Sequence, residues 1–266
     1  DPTAHFQAKK YTGNGATGQS ITFDGNSDMQ PDWFLTKRYD SGSDHWDIQD
    51  TCRGLVDGSG DGVSLYPAST NAENSDTGKV KTATSDGFTL GVNNQNNGNT
   101  KNYVCMAWNC NAGTNESAVT ESGNNPGNTR QTNATAGFSM IRYVGTGAAG
   151  TIAHGLGVTP KMVWVKNRST AKSWQVYNSN LSADATYGIK NLLLDTNGAE
   201  DAYSDYIKTT SSTTFTIRSD ASDGVGRVNK NGDNYVAYCF AEVEGYSKIG
   251  KYTGNGNADG TFVFTG

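Results

Sequence analysis

Tyr11-Thr12-Gly13-Asn14-Gly15 returns as Tyr143-Val144-Gly145-Thr146-Gly147 and again as Tyr252-Thr253-Gly254-Asn255-Gly256. A motif recurring at long, regular spacing marks a repeat architecture, and that decides how everything between its copies is read. Behind the first copy come Pro31-Asp32-Trp33, Trp46, Leu65-Tyr66, Asp86-Gly87-Phe88-Thr89-Leu90 and Asn102-Tyr103-Val104. Behind the second, in the same order, come Pro160, Trp164, Trp174, Leu193-Leu194, Thr214-Phe215-Thr216-Ile217 and Asn234-Tyr235-Val236. Landmarks kept in order at nearly constant gaps mean duplication. The third copy runs through Thr261-Phe262-Val263-Phe264 to Gly266, and the sequence opens at Asp1-Pro2 without Met, so it reads as a segment of a longer or processed chain.

The 266 residues suffice for two domains of ordinary size, each with its own core. Gly is abundant at 33 and Pro rare at 5, while aromatics reach 10%. Small polar residues with few helix formers suit short strands and many turns, and the aromatic content excludes a disordered chain. The net charge of −5 and the lack of a Lys/Arg stripe argue against a nucleic-acid partner. No apolar run approaches the ~20 residues of a membrane-spanning helix.

The predicted strands cover Ser20–Phe23, Trp33–Tyr39, Trp46–Asp50, Gly87–Val92 and Asn102–Trp108 in the first copy, and Met162–Lys166 and Trp174–Tyr177 in the second. Tyr103, Cys105 and Ala107 alternate with Val104, Met106 and Trp108, a strand apolar on both faces and therefore central. The paired Trp46 and Trp174 read as core. Residues 170–180, 182–191 and 201–207 read as short helical pieces. The expected fold is all-β: two tandem β-sandwich, jelly-roll-like repeats at 1–112 and 137–244, joined by a linker or exposed binding loop at 113–136. Residues 245–266 open a third repeat or donate a strand to a neighbour. Cys52, Cys105, Cys110 and Cys239 fall at non-equivalent repeat positions, which points to buried free thiols.

Few motifs point to chemistry. Gly13-x-Gly15-x-x-Gly18 and Gly145-x-Gly147-x-x-Gly150 match the dinucleotide pattern, but no helix follows and no acid stands about 20 residues on. The glycines at Gly13, Gly15, Gly145, Gly147, Gly254 and Gly256 are read as turn formers beside Tyr11, Tyr143 and Tyr252. Asp57-Gly58-Ser59-Gly60-Asp61 resembles the front of a calcium loop, yet its twelfth position is Ala68; Asp57 and Asp61 are weak metal candidates, and Asp220–Gly224 is a similar loop. Glu242 and Glu244 would share one face of a strand, as paired glycanase acids do. The three histidines, His5, His45 and His154, sit in loop-like contexts without a nucleophile elbow. No catalytic site and no cofactor are expected.

Met29-Gln30-Pro31-Asp32-Trp33, Cys52-Arg53-Gly54 and Ser85-Asp86-Gly87-Phe88 resemble a repeat common in structural proteins of tailed bacteriophages, often those of marine and cyanobacterial phages. Ile152-Ala153-His154-Gly155-Leu156-Gly157, Trp164-Val165-Lys166-Asn167-Arg168 and Tyr235-Val236-Ala237-Tyr238-Cys239-Phe240 carry the resemblance further, over nearly the whole chain. Thr36-Lys37-Arg38-Tyr39 departs from it where the first copy needs Val-Lys-Asn-Arg. The resemblance implies a non-enzymatic fibre or appendage protein at the virion surface, extracellular and self-associating as a homo-oligomer or fibre, with loops available to host-surface glycan. The alternative is a secreted carbohydrate-binding module or lectin.

Overall fold

The computed structural model describes residues 1–116, 118–201, 206–219 and 226–264. The first half forms β1 (Phe6–Thr12), β2 (Gln19–Thr22), β3 (Trp33–Arg38), β4 (Asp47–Asp50), β5 (Gly62–Ser64), β6 (Asn74–Asp76), β7 (Val80–Thr84), β8 (Gly87–Leu90) and β9 (Asn102–Trp108). The second forms β10 (Asn128–Asn133), β11 (Phe138–Val144), β12 (Gly150–Ala153), β13 (Met162–Asn167), β14 (Gln175–Asn178), β15 (Ala183–Asp184), β16 (Gly188–Ile189), β17 (Asn191–Leu193), β18 (Ile207–Thr210), β19 (Thr214–Ile217) and β20 (Asn234–Phe240). The fold is all-β.

The two halves carry one topology. Sheet order β1-β9-β3-β4 with β2-β8-β7 in the first half is matched by β11-β20-β13-β14 with β12-β19-β18 in the second. With β10 set aside as an added edge, the first strand of each half pairs with the last and the second with the second-last, the nested pairing of a jelly roll.

Strand alternation builds three cores from four sheets. Tyr103, Cys105 and Ala107 of β9 pack with Phe34, Phe88 and Leu90 inside the first sandwich. Tyr235, Ala237 and Cys239 of β20 pack with Val163, Phe215 and Ile217 inside the second. The opposite faces meet each other: Trp33, Ile48, Cys52 and Leu65 of the first half pack with Phe138, Met140, Trp174, Val236 and Tyr238 of the second. The large sheets therefore stand face to face, and their seam is a third apolar core shared by both halves.

Several expectations are corrected. Residues 113–136 are more than a tie: β10 lies within them and pairs with β11 from Asn128↔Tyr143 to Asn133↔Phe138. Its polar sequence hides the strand, because Gln131 is fully buried yet satisfied by Thr51 and Asn115. Residues 170–180 and 182–191 hold β14 to β17 and no helix, since Gln175 and Tyr177 turn one way while Trp174 faces the seam. Trp174 is core, donating Nε1–H to Tyr66 O at 2.9 Å, but Trp46 is only half-buried beside its polar loop. Within 201–207, residues 202–205 lie outside the described residues, as do 220–225 and with them the Asp220–Gly224 loop. All four cysteines are free and buried, and Cys105 and Cys110 enter different cores.

Candidate functional site

The glycine turns close a strand pair in each half. Tyr11 stacks on Tyr103 with centroids 5.1 Å apart, and its hydroxyl donates to Asn96 O. Tyr143 stacks on Tyr235 at 5.0 Å and donates to Val228 O. Gly13 N–H donates to Lys101 O, as Gly145 N–H does to Asp233 O. A Cβ at Gly13 would overlap the Gly98 carbonyl oxygen, and one at Gly145 the Lys230 carbonyl oxygen. Gly15 at φ 68° and Gly147 at φ 78° need the left-handed region. Strands β2 and β12 follow, not helices. These glycines let the turn lie against its own hairpin, so the space a pyrophosphate would need is filled by protein.

The third motif makes the same turn without a seat. Gly256 has φ 69°, but Tyr252 is 72% exposed, against 9% for Tyr11 and 4% for Tyr143. Ile21, packed in the first sandwich, stands ten residues after its Tyr, the place Phe262 takes after Tyr252; Phe262 is 86% exposed and Phe264 76%.

Other sequence candidates resolve into local structure. Asp57 Oδ1 accepts the backbone N–H of Ser59 and of Asp61, which commits that oxygen to its own turn. Strand β20 ends at Phe240, so Glu242 and Glu244 do not share a strand face; Glu242 Oε1 accepts Ile249 N–H at 3.0 Å. His154 is fully buried. Its Nδ1 accepts Leu156 N–H, which leaves Nε2–H for Ser211 O, and burial lowers its pKa. Asn167 Nδ2 reaches Gly226 O, Asp233 Oδ2 and the Tyr235 hydroxyl, tying β13 to the loop before β20.

Sequence reasoning missed a polar network buried at the seam. Arg53 Nε meets Asp50 Oδ2 at 2.5 Å and its Nη1 meets Glu73 Oε2 at 2.7 Å. Arg168, from the second half, grips Glu73 with Nε and Nη2, both at 2.8 Å. The Tyr238 hydroxyl donates to Asp50 Oδ2 at 2.6 Å. Burial works against the Glu73 carboxylate, yet Arg168 and Arg53 hold it below the usual range. Nearby, Asp32 rises to about 6 through burial, against the amide bond from Cys110. Lys79 makes a second buried pair with Asp47 at 2.8 Å. Lys166 forms no ion pair among the described residues: its Nζ donates to the Thr70 and Lys172 carbonyls, and burial lowers it to about 8 against the opposing charge of Asp195.

Two recesses open, one at the seam and one beside it within the second half. One, of about 270 Å³, is apolar, with Trp108, Trp164, Phe240 and Ile249 among its walls. The other, of about 320 Å³, is lined by Val119 and Thr129 from the 113–136 segment and by Arg142, Val144, Arg168 and Asn234. Among the described residues no group of three or more His, Cys, Asp or Glu is placed to hold a metal ion.

A family model described as a domain of unknown function (DUF7483) matches residues 1–266, and the chain belongs to that family. No curated protein and no solved structure matches it.

Proposed function

We propose that this chain is a non-enzymatic structural protein of a phage virion, a fibre or appendage subunit on the particle's outer surface. The doubled sandwich suits that work. Its halves share a core and a buried ionic network, so they resist separation.

The observation that carries the reading is the unseated third motif. An apolar strand opener left exposed costs hydration free energy, about 25 cal/mol for each Å² of apolar surface, which a matching hairpin would recover. A hairpin reached in a neighbouring subunit turns the motif into a joint, as in strand addition. Antibodies against the folded chain should label regularly spaced projections on intact virions in electron micrographs; particles that stay unlabelled overturn the assignment. The second reading, a carbohydrate-binding module, draws on the arginine-lined recess.

A further inference from the structure

We infer that the recess between the 113–136 segment and the ends of β11, β13 and β20 binds an acidic sugar, with Arg142 taking the carboxylate. The inference deepens the glycan-contacting reading and does not depend on how subunits assemble.

The first ground is charge. In the adjoining seam network Asp50 and Glu73 face Arg53 and Arg168, two acids against two guanidiniums. That group is balanced internally. Arg142, half-buried on β11, is paired with no acid and donates to no acceptor among the described residues. A half-buried guanidinium presents five N–H donors suited to a planar carboxylate. Arg168 adds a second: Glu73 occupies its Nε and Nη2, leaving Nη1. On a chain of net charge −5, an unbalanced cation lining a concave recess marks where an anion is accepted.

The second ground is the rest of the lining. The Thr129 hydroxyl has no partner among the described residues, and the exposed Asn234 amide spends one N–H on the Ser169 hydroxyl, which leaves its second N–H and its oxygen. Both suit sugar hydroxyls. Val119 and Val144, 36% and 47% exposed, give apolar surface for the C–H face of a ring. A volume of about 320 Å³ stands at the small end of ligand sites, roughly 300–1,000 Å³, and fits one ring.

The third ground is its origin. Val119 and Thr129 come from the insertion, which the short junction after β20 lacks. In the first half Lys10 occupies the place of Arg142 one residue before the motif Tyr, and no strand flanks β1 as β10 flanks β11. The recess belongs to the second half alone, so duplication of the fold does not explain it.

The test titrates the full chain with galacturonate and glucuronate trimers and with the same trimers reduced at the carboxyl, sodium acetate serving as competitor. The acidic trimers should bind saturably and the reduced ones at least about tenfold more weakly, with acetate competing only at far higher concentration. Arg142→Gln should weaken binding about 10- to 100-fold, the worth of hydrogen bonds to a charged group. Val119→Asp, at an exposed position on the wall, should abolish binding by placing a like charge beside the ligand. Both variants should melt with the parent. Equal binding of reduced trimers, acetate binding as tightly as the trimers, unchanged binding by folded Arg142→Gln and Val119→Asp, or no binding of any acidic trimer overturns the inference.

Discussion

The Tyr238 hydroxyl and the Asp50 carboxylate, 188 residues apart in the chain, meet at 2.6 Å in the seam. The hydroxyl comes from β20 of the second half and the acid from β4 of the first, and Arg53 shares the same Oδ2. Tyr238→Phe removes one buried donor and should lower stability by about 1–3 kcal/mol. Asp50→Ala leaves the buried Arg53 guanidinium with Glu73 as its remaining acid and the Ile48 carbonyl on Nη2, and should cost about 3–5 kcal/mol. Denaturant unfolding should register both as one cooperative transition shifted whole, because the third core belongs to both halves. Two separated transitions in either variant would show that the halves unfold independently.

Lys166 gives the seam a pH dependence of definite sign. Its folded-state pKa, about 8, lies below the roughly 10.4 of a free lysine. Between those values the native state holds fewer protons than the unfolded chain, so this group makes stability rise with pH across that window and leaves it flat below about 8. Lys166→Met should remove that slope and raise the melting temperature at neutral pH, since the buried ammonium donates to carbonyls and burial outweighs the charge of Asp195. The difference between parent and variant melting curves isolates the effect from tyrosines titrating higher. A variant that melts lower at pH 7 than the parent contradicts it.

The four thiols should be silent in the folded protein. Cys52 and Cys105 are pushed up to about 12 by burial, and Cys110 and Cys239 also rise. A thiol reagent at pH 8 should modify none of them natively and all four after denaturation, because the thiolate is the nucleophile. Fast native labelling of any one would place that sulfur at the surface.

What was legible in the sequence was what the backbone demands locally. Tyr11 and Tyr143 with their glycines announced the repeat because a turn against a hairpin tolerates few residues there, and the alternation along Asn102–Trp108 announced a central strand, which is buried on one face and half-buried on the other. The face-to-face seam was not legible: Trp33, Leu35 and Trp108 need an apolar partner, but no local pattern says that it is the other copy. Asp50, Arg53, Glu73 and Arg168 look like surface charges until the two halves close over them. Strand β10 escaped notice because an edge strand made of Asn, Thr, Arg and Gln shows no apolar alternation. Arg142 became a candidate only when the insertion was seen to wall a recess beside it.

The three motif copies offer a test of assembly from a single methyl group. Gly13→Ala and Gly145→Ala drive a Cβ into a backbone carbonyl oxygen, a neighbour that cannot swing aside, and should each destabilise the chain by about 1–3 kcal/mol. At Gly254 a Cβ meets nothing within 4 Å in the single chain, so Gly254→Ala should leave the melting temperature of the monomer unchanged. If the third motif seats on a neighbour's hairpin as the first two seat on their own, that same methyl will strike a carbonyl in the assembly. Gly254→Ala should then weaken subunit association in sedimentation experiments while the fold stays intact, and Phe262→Ser should do the same by removing the apolar side chain that the joint buries. Association unchanged in both variants would mean that residues 252–264 take no part in joining subunits.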